Sequence, residues 1–279
     1  MTQNKDLSNV LIVSDFDGTL RGSFGEIPQR NIDAIEHFKS LGGIFIVASG
    51  RAGFVLDAVE PKIKNLVNGK CVYSNGSYMY DYQTAMRSNE KYVSDEIIKE
   101  MLCLIRDMYS ASGIRIVRGD EYLTPDRNSE IERQIRLGYM NNVVVYDFDT
   151  VPTDLINKIT VCADESVILD IKKAVEDRYD LYVDVLLSAK NLIDIQPKNV
   201  SKGGAVEEIK KEFQSVGKDV KVYAVGDYEN DLDMLRKADY ACCPSNSLES
   251  VLEFCPIHLC SNDEGAIADL IEKIEQGIV

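Results

Sequence analysis

Two carboxylates stand two positions apart at the end of an apolar run, in Ser14-Asp15-Phe16-Asp17-Gly18-Thr19. In extended backbone such neighbours project to one side, so both can meet one electrophile, one attacking while the other handles a proton. Three further polar stations follow: Ser49-Gly50-Arg51, Ser201-Lys202, and Asp227 with Asn230 and Asp231. Gathering Asp15, Asp227 and Asp231 is costly, since like charges ~4 Å apart repel by roughly 4 kcal/mol at an effective dielectric of about 20. A cation must sit among them. An all-oxygen donor set with no histidine or thiolate in reach favours Mg²⁺, which also bridges substrate phosphate. Lys202 near a helix start, with the Ser49 hydroxyl and the open N–H groups around Gly50, can hold the equatorial oxygens of a phosphoryl group. Catalysis of phosphoryl transfer is mostly positioning and charge neutralisation, so the set is sufficient for hydrolysis through an aspartyl-phosphate.

The elements that must position these residues follow from periodicity. Val10–Ser14 is a short β-branched run that ends at Asp15 and reads as a buried strand. Pro28 opens a helix with Ile32, Ile35, Phe38 and Leu41 at helical spacing, closed by Gly42-Gly43, and Ile44–Ala48 is the second strand. Strand, helix, strand predicts a parallel crossover with Asp15 and Ser49 at neighbouring strand ends, where ligands bind in such sheets. The alternation resumes after Ser201: a helix through Val206, Ile209 and Phe213, a strand Val222–Val225, a helix at Leu232 and Leu235, strands Tyr240–Cys243 and Ile257–Leu259, and a closing helix through Ile267, Leu270 and Ile274. The fold class is therefore α/β, a doubly wound, Rossmann-like parallel-sheet core.

Between these halves the pattern changes. Helices are expected at Asp95–Tyr109, Ser129–Leu137 and Ser166–Tyr179, and strands at Ile114–Val117, Leu155–Cys162, Leu181–Leu186 and Leu192–Ile195. The strands alternate, as in an open sheet with one solvated face. An α+β domain over 80–191 is thus inserted into a core made of 1–79 and 192–279, with linkers near 78–82 and 190–200.

Composition agrees with a large folded chain: 279 residues, 45% hydrophobic, 28% charged, 18 Gly and 7 Pro. A net charge of −15 opposes nucleic-acid and anionic membrane partners. The polar stretch Met1–Asn9 and the short run Val10–Val13 fit neither a signal sequence nor a membrane span, and a cytoplasmic chain is expected. Seven cysteines without a C-x-x-C pair read as reduced, mostly buried thiols. With only His37 and His258, a His-rich zinc site or a Ser-His-Asp hydrolase has little to draw on; His37, in an amphipathic helix, is read as structural.

Singly, each station has a structural alternative: a capped turn for Asp15–Thr19, a helix cap for Ser49-Gly50-Arg51, a solvated lysine for Lys202, a helix-capping turn for Asp227–Asp231. In this order, and at these strand ends, they are read together. So read, they resemble the four motifs of the haloacid dehalogenase (HAD) superfamily, in the spacing of Cof-type phosphatases (subfamily IIB, with a C2B cap inserted between the second and third motifs). Asp15–Thr19 resembles the first motif, Ala48-Ser49-Gly50-Arg51 the second, Ser201-Lys202-Gly203 the third and Gly226–Asp231 the fourth, with Ser49 where a threonine is usual.

The resemblance implies Asp15 as nucleophile and Asp17 as the general acid that later activates water. It implies Mg²⁺ held by the carboxylates of Asp15 and Asp227 and the carbonyl of Asp17, with Asp231 steadying the set. Phosphate or substrate contacts would come from Thr19, Ser49, Gly50, Arg51, Lys202 and Asn230. Residues 20–28 would be a mobile flap, and the insertion a lid that selects the leaving group. Ser74-Asn75-Gly76 resembles the family's Asn-Gly stretch and is equally a hinge turn. Arg115, Arg118 and Arg127 are candidates for a second anionic group, with ordinary surface arginines the alternative. The expected activity is hydrolysis of small phosphorylated metabolites, sugar phosphates foremost, by a monomer or small homo-oligomer. A phosphomutase of the same cap type, a receiver-like phospho-acceptor module and a non-catalytic metabolite binder stand as alternatives.

Overall fold

A computed structural model describes residues 5–136 and 143–279. The chain opens with β1 (Val10–Ser14), α1 (Gln29–Ser40), β2 (Ile44–Val47), α2 (Gly53–Val59) and α3 (Ile63–Leu66), then β3 (Cys71–Tyr73), β4 (Tyr78–Asp81) and β5 (Met86–Ser88). Next come α4 (Asp95–Met108), β6 (Gly113–Arg118), β7 (Glu121–Thr124), α5 (Ser129–Arg136), β8 (Val143–Val145), β9 (Ile156–Cys162), α6 (Glu165–Tyr179), β10 (Val183–Ala189) and β11 (Leu192–Pro197). The chain closes with α7 (Lys202–Ser215), β12 (Lys221–Val225), α8 (Leu232–Lys237), β13 (Tyr240–Pro244), α9 (Glu249–Phe254), β14 (Ile257–Leu259) and α10 (Ala266–Glu275).

Two compact units result: one runs up to Ser88 and resumes over Ser201–Val279, the other spans Asn89–Val200. The first holds a parallel sheet in the order β14-β13-β12-β1-β2. All five residues of β1 are buried, which is why it reads as an unbroken apolar run with no alternation. Register pairs Ser14 with Val225 on one side and Val47 on the other, so Asp15, Ser49 and Asp227 emerge at adjacent strand ends. Outside this sheet β3, β4 and β5 pair antiparallel, joined to it through a parallel bridge from Ala48 to Val72. These short strands and the helices α2, α3 and α9 were not read from sequence.

The second unit is a six-stranded sheet ordered β10-β11-β9-β6-β7-β8, antiparallel except for the β7–β8 pair. Ile114, Ile116, Ile159 and Val161 pack with Ile98, Met101 and Ile105 of α4 and Ile168, Ile171 and Val175 of α6 in this unit's own apolar core. The opposite face is solvated in part: β10 alternates, with Asp184 and Leu186 half-buried between buried Val183 and Val185, whereas every residue of β9 is buried, including Lys158 and Thr160. Burial is possible there because Asp194 of β11 accepts from Lys158 Nζ at 3.1 Å and Thr160 Oγ1 at 2.6 Å.

Both unit boundaries lie later than positions 80 and 191. Residues 80–88 pair through β4 and β5 with β3, and Leu192–Pro197 pair with β9 and β10. The expected strand start at Leu155 shifts to Ile156 because Leu155 has a positive φ of 56°. The helix expected over Ser129–Leu137 is observed to Arg136, and Leu137 lies outside the described residues. No described helix is long and apolar enough to cross a membrane. His37 sits on α1 with Nε2 3.1 Å from Glu275, tying that helix to α10. All seven cysteines are free and most are buried.

Candidate active site

Asp15 follows β1 directly and is 7% exposed. Lys202, the first residue of α7, is fully enclosed; its Nζ donates to Asp15 Oδ1 at 2.5 Å and to Asp231 Oδ1 at 2.7 Å. The helix start is fixed by Ser201, whose hydroxyl accepts from the Gly204 N–H at 3.0 Å and donates to Asp233. Asp231 is itself pinned, since its Oδ2 accepts the backbone N–H of Asp227 and of Tyr228, each at 3.1 Å. Oxygens of Asp15, Asp227 and Asp231 lie within 4.8 Å of one another. Gly18 makes the approach possible: its φ of +84° suits glycine, and a Cβ there would collide with the Asp227 carboxylate.

Electrostatics follows from three carboxylates facing one ammonium. Burial pushes the Asp15 carboxyl well above the usual range, with Lys202 pulling against it and Asp231 and Asp227 adding to it. Burial also pushes Asp227 up to about 6, opposed by the Thr19 hydroxyl and reinforced by Asp231. For Lys202 burial favours loss of the proton, but Asp15 and Asp231 outweigh it and hold the ammonium above its ordinary value. The surplus of buried negative charge, offered entirely by hard oxygen donors, is what a divalent cation would neutralise. The donor set therefore fits such an ion.

Asp17 is not one of the three carboxylates whose oxygens lie within 4.8 Å of one another, but it adds to the negative field at Asp227. The half-exposed Asp17 carboxylate accepts from Arg51 Nε at 2.5 Å and Arg51 Nη2 at 2.9 Å, with Arg21 3.5 Å away. Arg51 is thereby a partner of Asp17. Thr19 is fully buried, and its hydroxyl donates to Asp227 Oδ1 at 2.6 Å, so it acts on a carboxylate where a phosphate contact was expected.

Ser49 and Gly50 follow β2, the strand paired with β1, and a Cβ on Gly50 would lie 3.8 Å from Asn230 Nδ2. The Ser49 N–H donates to Val72 O at 2.8 Å, and its Oγ accepts from the Arg51 N–H at 3.1 Å. Asn230 Nδ2 donates to Asn75 Oδ1 at 3.4 Å, a contact sequence reasoning missed, as it missed Asp233 on Ser201 and Asn246, whose Nδ2 donates to Gly18 O at 2.8 Å. No spacing rule links such distant positions. Segment 20–28 is tied down by Asn262 Nδ2 on Arg21 O and by the Ser23 N–H on Asp263, leaving Phe24 94% exposed at its tip. In the second unit Arg118 pairs with Asp154 at 2.8 Å and Arg127 with Glu132 at 2.5 Å, whereas Arg115 Nε is buried with no hydrogen-bond partner among the described residues.

Comparison with known proteins gives the family. The sequence profile of the haloacid dehalogenase-like hydrolases matches residues 12–271. The Escherichia coli 5-amino-6-(5-phospho-D-ribitylamino)uracil phosphatase YbjI is 23% identical over 275 residues, spanning 96% of this chain and 97% of that one. Its Bacillus subtilis counterpart YwtE is 23% identical over 291 residues, spanning 95% and 98%. A haloacid dehalogenase-like hydrolase from Bacteroides thetaiotaomicron shares the fold with a TM-score of 0.83 at 23% identity, over 95% of this chain and 99% of that one. A sugar phosphatase of HAD subclass IIB shares it with a TM-score of 0.79 at 18% identity, over 97% and 100%. A match running through both units also sets aside a lone receiver-like module, whose chain is far shorter. The protein thus belongs to the haloacid dehalogenase-like hydrolase family, as a Cof-type phosphatase.

Proposed function

We propose that the protein is a Mg²⁺-dependent phosphatase that hydrolyses small phosphorylated metabolites, sugar phosphates foremost, through an aspartyl-phosphate on Asp15. The observation that carries this reading is the meeting of Asp15, Asp227 and Asp231 within 4.8 Å, with Lys202 buried among them. Asp15 attacks phosphorus. Lys202, Ser49, the Gly50 backbone and Asn230 hold the phosphoryl oxygens as charge shifts onto the leaving group. Asp17 leaves its arginine partners to protonate the departing alkoxide, then takes a proton from the water that opens the acyl-phosphate. The carboxylates of Asp15 and Asp227 with the carbonyl of Asp17 would hold the metal, positioned by Asp231. When bound, the ion supplies positive charge against the incoming phosphate.

Relatives named for a phospho-ribitylamino substrate, and a fold neighbour named a sugar phosphatase, support a polyhydroxylated leaving group. The inserted unit, 80–191 by sequence and Asn89–Val200 by its contacts, is proposed to select that group. The test is free-phosphate release across sugar phosphates, nucleotides and vitamin phosphates, with and without chelator. Chelator-sensitive release from sugar phosphates is expected. Isomerised sugar phosphate without free phosphate would replace hydrolysis by mutase chemistry, and chelator-insensitive release would remove the metal.

A further inference from the structure

The turn Ser74-Asn75-Gly76 is left unused by the proposed chemistry, yet three consecutive residues there have positive φ, 49°, 58° and 102°. Ser74 and Asn75 are not glycines, and side chains rarely adopt this region unless the surroundings impose it. Here they do. The Ser74 N–H donates to Arg51 O at 2.9 Å, the Asn75 N–H to Ser49 O at 3.1 Å, and Ser77 Oγ to Ser74 O at 2.9 Å. On the other side Gly76 presses against the carbonyl of Ser201, where any Cβ would collide. The turn is thus wedged between the loop carrying Ser49-Gly50 and the residue preceding Lys202.

At its centre the Asn75 side chain is 2% exposed. Its Oδ1 lies 3.4 Å from Asn230 Nδ2 and 2.9 Å from the point a Cβ on Gly50 would occupy; that same point is 3.8 Å from Asn230 Nδ2. Asn75, Gly50 and Asn230 therefore converge on one spot beside the carboxylate cluster. A carboxamide can present either its oxygen or its nitrogen, and an acceptor at Asn75 selects the nitrogen of Asn230. We infer that Asn75 is a positioning residue that orients the Asn230 amide and shapes the Gly50 loop so that both present N–H donors to a bound phosphoryl group. The inference rests on the phosphate-binding reading of Ser49, Gly50, Lys202 and Asn230 given above.

Asn75→Gly is the informative variant, because glycine takes a φ of 58° freely and only the carboxamide is removed. Its affinity for inorganic phosphate, read by calorimetry with magnesium present, should fall about tenfold, as loss of one hydrogen-bonded orientation predicts. KM for an aryl phosphate should rise alongside, with kcat far less affected and the melting temperature little changed. Combining Asn75→Gly with Asn230→Ala should cost less than the sum of the two single losses. Asn75→Asp keeps an acceptor but adds negative charge, and should weaken phosphate binding more than Asn75→Gly.

Unchanged phosphate affinity in Asn75→Gly would overturn the inference. So would a loss that adds in full to that of Asn230→Ala, full tolerance of Asn75→Asp, or an inert Asn230→Ala. A wild-type protein that binds phosphate but leaves the aryl ester intact would defeat the phosphatase reading alone, and the calorimetric arm would still decide the role of Asn75.

Discussion

Each unit buries a lysine against aspartate, and the two burials come out differently. In the inserted unit Lys158 Nζ donates at 3.1 Å to Asp194, which also accepts from Thr160 Oγ1 and Ser188 Oγ. Burial alone would raise Asp194, but Lys158 and the Thr160 hydroxyl favour the charged form and bring it below its ordinary value. In the core Lys202 faces Asp15 and Asp231 with Asp227 close by, and Asp15 is pushed up. Lys158 and Arg115 both favour an ionised Asp194, whereas around Lys202 the carboxylates Asp15, Asp227 and Asp231 act against one another, an excess of like charge that a cation would relieve. Imbalance, more than burial, separates the reactive pair from the structural one.

The comparison can be broken at several points. Asp15→Asn should lower turnover by roughly a thousandfold or more while leaving the melting temperature unchanged or raised, since it removes both a nucleophile and a repelling charge. Steady-state kinetics beside a thermal melt decides; a large drop in stability would make Asp15 as structural as Asp194. Asp17→Asn should cost about a hundredfold on alkyl phosphates and much less on aryl phosphates, whose leaving groups need little protonation. Equal losses on both would return Asp17 to an ion-pair partner of Arg51.

Lys202→Ala should destabilise the core by about 3–5 kcal/mol in denaturant titrations, because three carboxylates lose their one buried cation. Asp194→Asn should cost a smaller amount, about 3 kcal/mol, in the inserted unit. A carboxyl with a depressed folded value contributes stability above its unfolded pKa of about 3.9 and loses it as pH falls through the folded value. The gap between wild type and Asp194→Asn should therefore narrow as pH falls below about 4 and through the lowered folded value. A gap that stays constant through that window would show that Asp194 is not held charged by Lys158.

Much of the core was legible because parallel strands buried on both faces must be unbroken apolar runs. Val10–Val13 and Val222–Val225 are such runs, and the residues just beyond their carboxyl ends lie where ligands bind in such sheets. Lys202 was legible only through its company, since a lone lysine after a serine is usually solvated. Less was readable where a side chain's direction depends on a partner remote in sequence: Asp17 turns toward Arg51, Thr19 toward Asp227 and Asn75 toward Asn230. The Cys71–Ser88 strands were missed because three- and four-residue strands carry too little period to register.

Lys202 reaches Asp15 across 187 positions, and a whole folded unit separates them in the chain. A polypeptide leaving the ribosome at about 5–20 residues per second presents its nucleophile roughly ten to forty seconds before the matching ammonium. The uninterrupted stretch Asn89–Val200 can complete its own sheet in that interval. β1, paired on both sides in the finished sheet, waits with only β2 beside it until β12 emerges. Competence for chemistry is thus the last property the newborn chain acquires.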